Sequence, residues 1–170
     1  MQEHRALILR SNRFLGSSLV DRGLVSVNDL ELANEKFMEA IQASELKRAS
    51  ILNTLLFDTK SLEEQTLLEH LVEEEGLGLI DLDQIDLRSL RPYGVDLSLC
   101  WATSTIPFDK IEETYMLATC YRLSEPVVKH WQELLSSPII WYGTSSVSIT
   151  QALERIESIH EAEDAALADE

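Results

Sequence analysis

The sequence predicts an α+β fold: an N-terminal helical subdomain of two imperfect helix-turn-helix repeats (residues 1–75), then a small α+β subdomain (76–160) with helices on a mixed three- to four-stranded sheet. Three observations predict it. Apolar residues recur at helical spacing through the first half. A group of them returns about 36 residues later, from Leu15, Leu19 and Val20 to Ile51, Leu55 and Leu56. From Trp101 the apolar period shifts toward two, in stretches rich in β-branched and aromatic residues.

Residues 1–14 read as a short helix or arm, with Ala6, Leu7, Ile8 and Leu9 apolar and Arg5, Arg10 and Arg13 forming the one basic segment of the chain. Leu15, Leu19 and Val20 share a face of a short helix. Gly23 is placed to take the left-handed conformation that closes it. Leu24 and Val25 bridge into the core. Ser26 is an N-cap with Asp29 as its acidic partner near the positive end of the helix dipole. The helix that follows, over 27–47, carries its core stripe on Leu30, Ala33, Phe37 and Ile41.

Residues 48–75 read as a worn copy of this unit. Ser61 repeats the role of Ser26, Glu64 completes a capping box, and Leu67, Leu68, Leu71 and Val72 form the next stripe. Leu52 replaces Gly16, Thr59 replaces Gly23, and the turn is one residue shorter. The copy keeps helix packing without the tight-turn chemistry.

Gly76-Leu77-Gly78 ends that helix, and Leu79-Ile80-Asp81-Leu82 reads as a short strand. Residues 84–100 suit short helical turns. Trp101–Phe108 and Thr114–Tyr121 form a hairpin with a long charged loop at Asp109–Glu113. Ser124-Glu125-Pro126 starts a helix whose apolar face is Val127, Val128, Trp131, Leu134 and Leu135. Pro138–Tyr142 is a third strand, and Gly143–Ser146 turns into a last helix buried through Ile149, Leu153 and Ile156. Residues 161–170 read as an acidic, Ala-rich tail that extends the last helix and then frays into solvent.

A net charge of −16 opposes binding to nucleic acid and to anionic lipid. No apolar run reaches the length of a membrane span, and no signal-peptide pattern opens the chain. Cys100 and Cys120 lack metal-ligand spacing and read as buried reduced thiols, with a disulfide between neighbouring strands left open. There is no phosphate loop, no nucleophile elbow and no His-Glu-x-x-His zinc motif. His4, His70, His130 and His160 are dispersed, and the triplet Glu73-Glu74-Glu75 reads as solvent-facing. No catalytic residue, metal site or cofactor is expected.

The pattern Leu15-Gly16, Leu19-Val20, Gly23-Leu24-Val25, Leu30 resembles the N-terminal domain of type II secretion and type IV pilus assembly ATPases, a domain that also occurs as a cyclic di-GMP sensor. The resemblance extends, more weakly, to about residue 159. It implies a bacterial, cytoplasmic, non-enzymatic adaptor or regulatory domain. On this resemblance the chain would hold only the N-terminal part, without the ATPase domain, and its partner would be a secretion or pilus assembly protein. It also implies an alternative, a cyclic di-GMP or related nucleotide sensor using Arg13, Leu15, Gly16, Leu19, Val20, Gly23, Leu24, Val25 and Leu30. In such sensors glycines admit the ligand to the backbone, leucines pack on guanine, and Arg and Gln make polar contacts. Here Phe14 stands in the usual Arg place, Asn34 replaces a leucine and Phe37 a glutamine. The second copy has only Lys47 and Arg48 nearby.

Overall fold

The computed structural model describes residues 4–45, 49–121 and 124–170. Helix α1 (Arg5–Asp21) is continuous, so residues 5–14 of the segment read as a short helix or arm are its first half. No breaker interrupts it, and its buried stripe Ile8, Ser11, Asn12, Leu15, Gly16, Leu19 keeps helical spacing; the two polar members hid that continuity. Gly23, at φ +69°, closes the helix as expected, with the Leu24 N–H donating to the Leu19 carbonyl at 3.0 Å. Helix α2 (Val27–Gln42) begins at Ser26, whose Oγ accepts the Asp29 N–H at 3.1 Å and donates to the Asp29 carboxylate at 2.8 Å. It stops short of residue 47, where Ser44 turns left-handed.

The second copy departs from the first through one irregularity. Helix α3 (Ile51–Asn53) runs directly into a π-turn over Thr54–Asp58, which widens the coil by one residue. Leu15 to Ile51 is therefore 36 residues, but Gly23 to Lys60 is 37, and Lys60 (φ 52°), not Thr59, is the left-handed residue. The turn keeps its length. The expected Ser61 cap is absent: Ser61 donates to the Thr59 hydroxyl at 2.8 Å, and helix α4 (Glu64–Glu73) starts at Glu63 without a side-chain cap. Glu64 instead accepts the Val147 N–H at 3.1 Å. Leu67 and Leu71 are buried, whereas Val72 faces solvent.

The sheet has the order β1-β4-β3-β2, with β1 (Gly78–Leu79), β4 (Ile139–Gly143) and β3 (Thr114–Thr119) parallel and β2 (Thr105–Ile111) antiparallel to β3. The expected strand at Leu79–Leu82 is only two residues, because the Asp81 carboxylate accepts the Asp83 N–H and starts a 3₁₀ turn at Leu82–Gln84. The long hairpin loop is also shorter than expected. Asp109, Lys110 and Ile111 pair within β2, a bulge lies between Pro107 and Asp109, and Glu112-Glu113 alone make the link. Trp101–Thr103 belong to helix α5 (Leu97–Thr103), which ends at left-handed Ser104.

Helix α6 (Glu125–Leu135) buries Val127, Trp131 and Leu135 but leaves Leu134 exposed. The fully buried Trp131 donates its indole N–H to Thr103 Oγ1 at 3.2 Å. Helix α7 (Ser146–Ala168) includes most of the stretch read as a tail, and its Glu163 and Asp164 pair with Arg91 at 2.9 and 2.8 Å. Nor does the glutamate triplet merely face water: Glu74 and Glu75 meet Arg22 at 3.2 and 3.5 Å.

One hydrophobic cluster runs from Ile8 to Ile156 and includes members of both halves of the chain. Helix α1 packs on α3, α5 and α6. Its buried Asn12 donates to its own helix at the Ile8 carbonyl (2.8 Å) and accepts the Ile51 N–H (2.7 Å), which starts α3. Ser146, at the start of α7, donates to Asn53 Oδ1 at 2.7 Å.

Two predictions follow from these contacts. Asn12→Ala leaves the buried Ile51 N–H without its acceptor and should cost about 2–3 kcal/mol in urea unfolding; a loss under 0.5 kcal/mol would remove Asn12 from this role. At the two left-handed turns, Gly23→Ala should lower stability by about 1 kcal/mol and Lys60→Gly should raise it by up to about 1 kcal/mol. Equal signs for the pair would contradict the turn assignment.

Candidate functional site

A groove of about 670 Å³ lies between α1 and α2. It exists because the two helices meet at one point and diverge around it. That point is Gly16: a Cβ built there would lie 2.8 Å from Leu30 Cδ1, so only a bare backbone lets Leu30 seat fully against α1. Leu9, Val20, Val27, Phe37 and Met38 make the walls apolar. Among the described residues, Arg13 is the single cation lining the groove, opposed by Asp21 and Glu31.

The residues singled out by the motif divide into three groups. Arg13, Gly16, Val20 and Leu30 come together in the groove. Leu15, Leu19 and Val25 are buried in the hydrophobic core, at 4%, 3% and 6% exposure. Leu24 turns toward α4, beside Thr66 and His70, while Gly23 stands in the turn with open space where a side chain would be. Asn34 and Phe37, which depart from the nucleotide-binding pattern, both line the groove. Lys47 and Arg48 lie outside the described residues. Sequence reading missed Val27 and Met38 on the groove wall. Their signal was available: both lie off the Leu30–Ile41 stripe, so an apolar side chain there has no place in the core.

Titratable groups do not converge in the groove. His70 lies 3.7 Å from Glu75 on α4, His160 sits on α7 and His130 on α6. Among the described residues no three His, Cys, Asp or Glu side chains are grouped to hold a metal ion. Cys100, in α5, and Cys120, just past β3, are both buried and free. Burial drives the Cys100 thiol far up, with Asp96 adding to it. It pushes Cys120 up to about 12, against hydroxyl hydrogen bonds from Ser104 and Ser146 that favour the thiolate. Neither offers a thiolate nucleophile near neutrality. Tyr121, fully buried, is raised for the same reason.

No protein-family model and no curated protein matches the chain. Solved structures do. The chain has the fold of the N-terminal domain of secretion and pilus ATPases. It is similar to the N-terminal domain of XpsE at 16% identity and a TM-score of 0.55, over 86% of this chain and 96% of that one. Another crystal form of the XpsE domain gives 18% and 0.53, over 82% and 91%. A structure of MshE with cdg gives 18% and 0.51, over 84% and 97%. The predicted α+β class and the resemblance read from Leu15–Leu30 are both borne out at the level of fold.

The cysteines give a pH prediction. A folded-state value raised above that of a free thiol, about 8.5, means the stabilisation is complete below that pH and is lost as pH climbs toward 12. The urea midpoint should hold from pH 7 to 8 and fall between pH 9 and 11, and Ellman's reagent should label neither thiol at pH 8 before unfolding. Rapid labelling of the folded chain would contradict the burial.

Proposed function

We propose that the chain is a non-enzymatic protein-interaction domain, an adaptor or regulatory module that docks a partner from a bacterial secretion or pilus assembly system. In this reading it works in the cytoplasm. Residues 1–75 carry the docking face and 76–160 the sheet-bearing unit behind it. The observation that carries the proposal is the open groove between α1 and α2. Its walls leave Val27 57% and Met38 37% exposed, apolar surface that the fold itself does not cover. The fold likeness to N-terminal domains of secretion and pilus ATPases supports the same reading. Among the described residues no helix is long and apolar enough to cross a membrane.

Calorimetry against purified cytoplasmic domains of inner-membrane assembly proteins tests it. One of them should bind, and Val20→Asp or Met38→Asp should weaken that binding at least tenfold with the far-UV spectrum unchanged. No binder, or a binder indifferent to both substitutions, would overturn the assignment of the groove.

A second reading, a nucleotide sensor, is favoured by Arg13 beside Gly16 in the groove and by the likeness to MshE with cdg. It predicts heat on titrating cyclic di-GMP into tens of micromolar protein, abolished by Arg13→Ala; absence of heat ends it. Strong negative charge on the chain works against a dianionic ligand.

A further inference from the structure

Between β1 and α5 the chain crosses the surface as a strap, residues 80–95, with two 3₁₀ turns at Leu82–Gln84 and Arg91–Tyr93. The strap buries Leu82, Leu87 and Leu90 and brings Tyr93 edge-on to Tyr115 of the sheet at 5.4 Å. Past Ile80, its backbone hydrogen bonds to other backbone are internal to it. Its polar ties to the rest of the molecule are made by one face of α7. Arg155 donates to the Leu82 and Ile85 carbonyls at 3.3 and 3.2 Å. Glu163 accepts from Ser89 and Arg91, and Asp164 pairs with Arg91. At the centre, the N–H of Leu90, a residue 1% exposed, donates to His160 Nε2 at 3.1 Å.

These ties differ in kind. Arg91 is held by the two carboxylates as an ion pair, and Arg155 donates from its guanidinium. The Leu90 bond requires a lone pair on Nε2 and so exists only with the neutral ring. A proton on Nε2 sets two donors face to face and leaves a buried N–H without an acceptor. The charged groups on the two elements are Glu154, Arg155, Glu157, Glu161, Glu163 and Asp164 on α7, and Asp81, Asp83, Asp86, Arg88 and Arg91 on the strap. Of the other elements packed on α7, β2 carries Asp109 and Lys110, and α5 carries no ionic side chain. Glu157, Glu163 and Asp164 lie one turn from His160 on its own helix, and Arg91 is held there by Glu163 and Asp164.

We propose that His160 is a pH-sensitive latch: the strap is docked on α7 while the imidazole is neutral and loosens when it takes up a proton. What loosening uncovers is specific. Leu82, Leu87 and Leu90 lose their cover, and the cleft that Gln84, Ile85 and Tyr93 share with Pro107 and Lys110 beside β2 opens.

Amide exchange of the full chain by NMR from pH 8 to pH 5 tests this, with the His160 ring followed in the same samples through its nitrogen shifts. Protection of the Leu90 amide, corrected for the intrinsic exchange rate, should fall roughly tenfold or more as the ring protonates. Protection at Leu82 and Leu87 should fall with it. In His160→Gln, whose amide oxygen accepts at every pH, Leu90 protection should stay flat over the range. Protection that is constant in the wild-type chain while His160 titrates would overturn the latch. So would a fall of equal size in His160→Gln.

Discussion

The buried carboxamide of Asn12 is the contact on which the arrangement rests. It sits in the middle of α1, satisfies one carbonyl of its own helix and receives the first N–H of α3. A helix start buried without such a partner would leave a donor stranded at a cost of 1–3 kcal/mol. Because α1 also packs on α5 and α6, fixing α3 to α1 fixes the repeated helical unit to the sheet-bearing half. Ser146 on Asn53 and Val147 on Glu64 repeat the arrangement at the start of α7, again spending a polar group of the helical unit on a helix of the other.

The two repeats show how one helix-turn-helix pattern tolerates different chemistry. In the first, Gly23 supplies the left-handed residue at little strain and Gly16 lets α2 approach α1 closely. In the second both glycines are gone. A π-turn absorbs the geometric difference and Lys60 takes the left-handed conformation. The first copy therefore keeps a groove between its helices. In the second, Leu52, standing where Gly16 stood, is completely buried.

Much of this was legible from residue order. Helical spacing, the Ser26–Asp29 cap, the Gly23 turn and the Ser124-Glu125-Pro126 start each act over one turn of chain, and each was found where local chemistry placed it. What was not legible depends on partners distant in sequence. Ser61 has the local pattern of a cap but bonds Thr59, and its expected partner Glu64 is engaged by Val147 across the fold. The acids at 163 and 164 read as a tail because Arg91, their counter-charge, lies over seventy positions earlier. The one-residue π insertion left the apolar pattern intact and moved only the turn. Of the groove, Arg13, Gly16, Val20 and Leu30 were in view; Leu15, Leu19 and Val25 build the core under it, as their apolar face and the bridge at Val25 indicated.

The three tryptophans, Trp101, Trp131 and Trp141, all lie in the second half of the chain, whereas α1 to α4 hold much of the helix. Urea unfolding followed at once by tryptophan fluorescence, which reads the second half alone, and by far-UV circular dichroism, which reads the helices of both halves, therefore shows whether the first half unfolds with the second. If α1 joins them into one core through Asn12, the two curves superimpose, with one midpoint and one slope. A dichroism transition that precedes or trails the fluorescence change, with the helical repeats melting on their own, would contradict it.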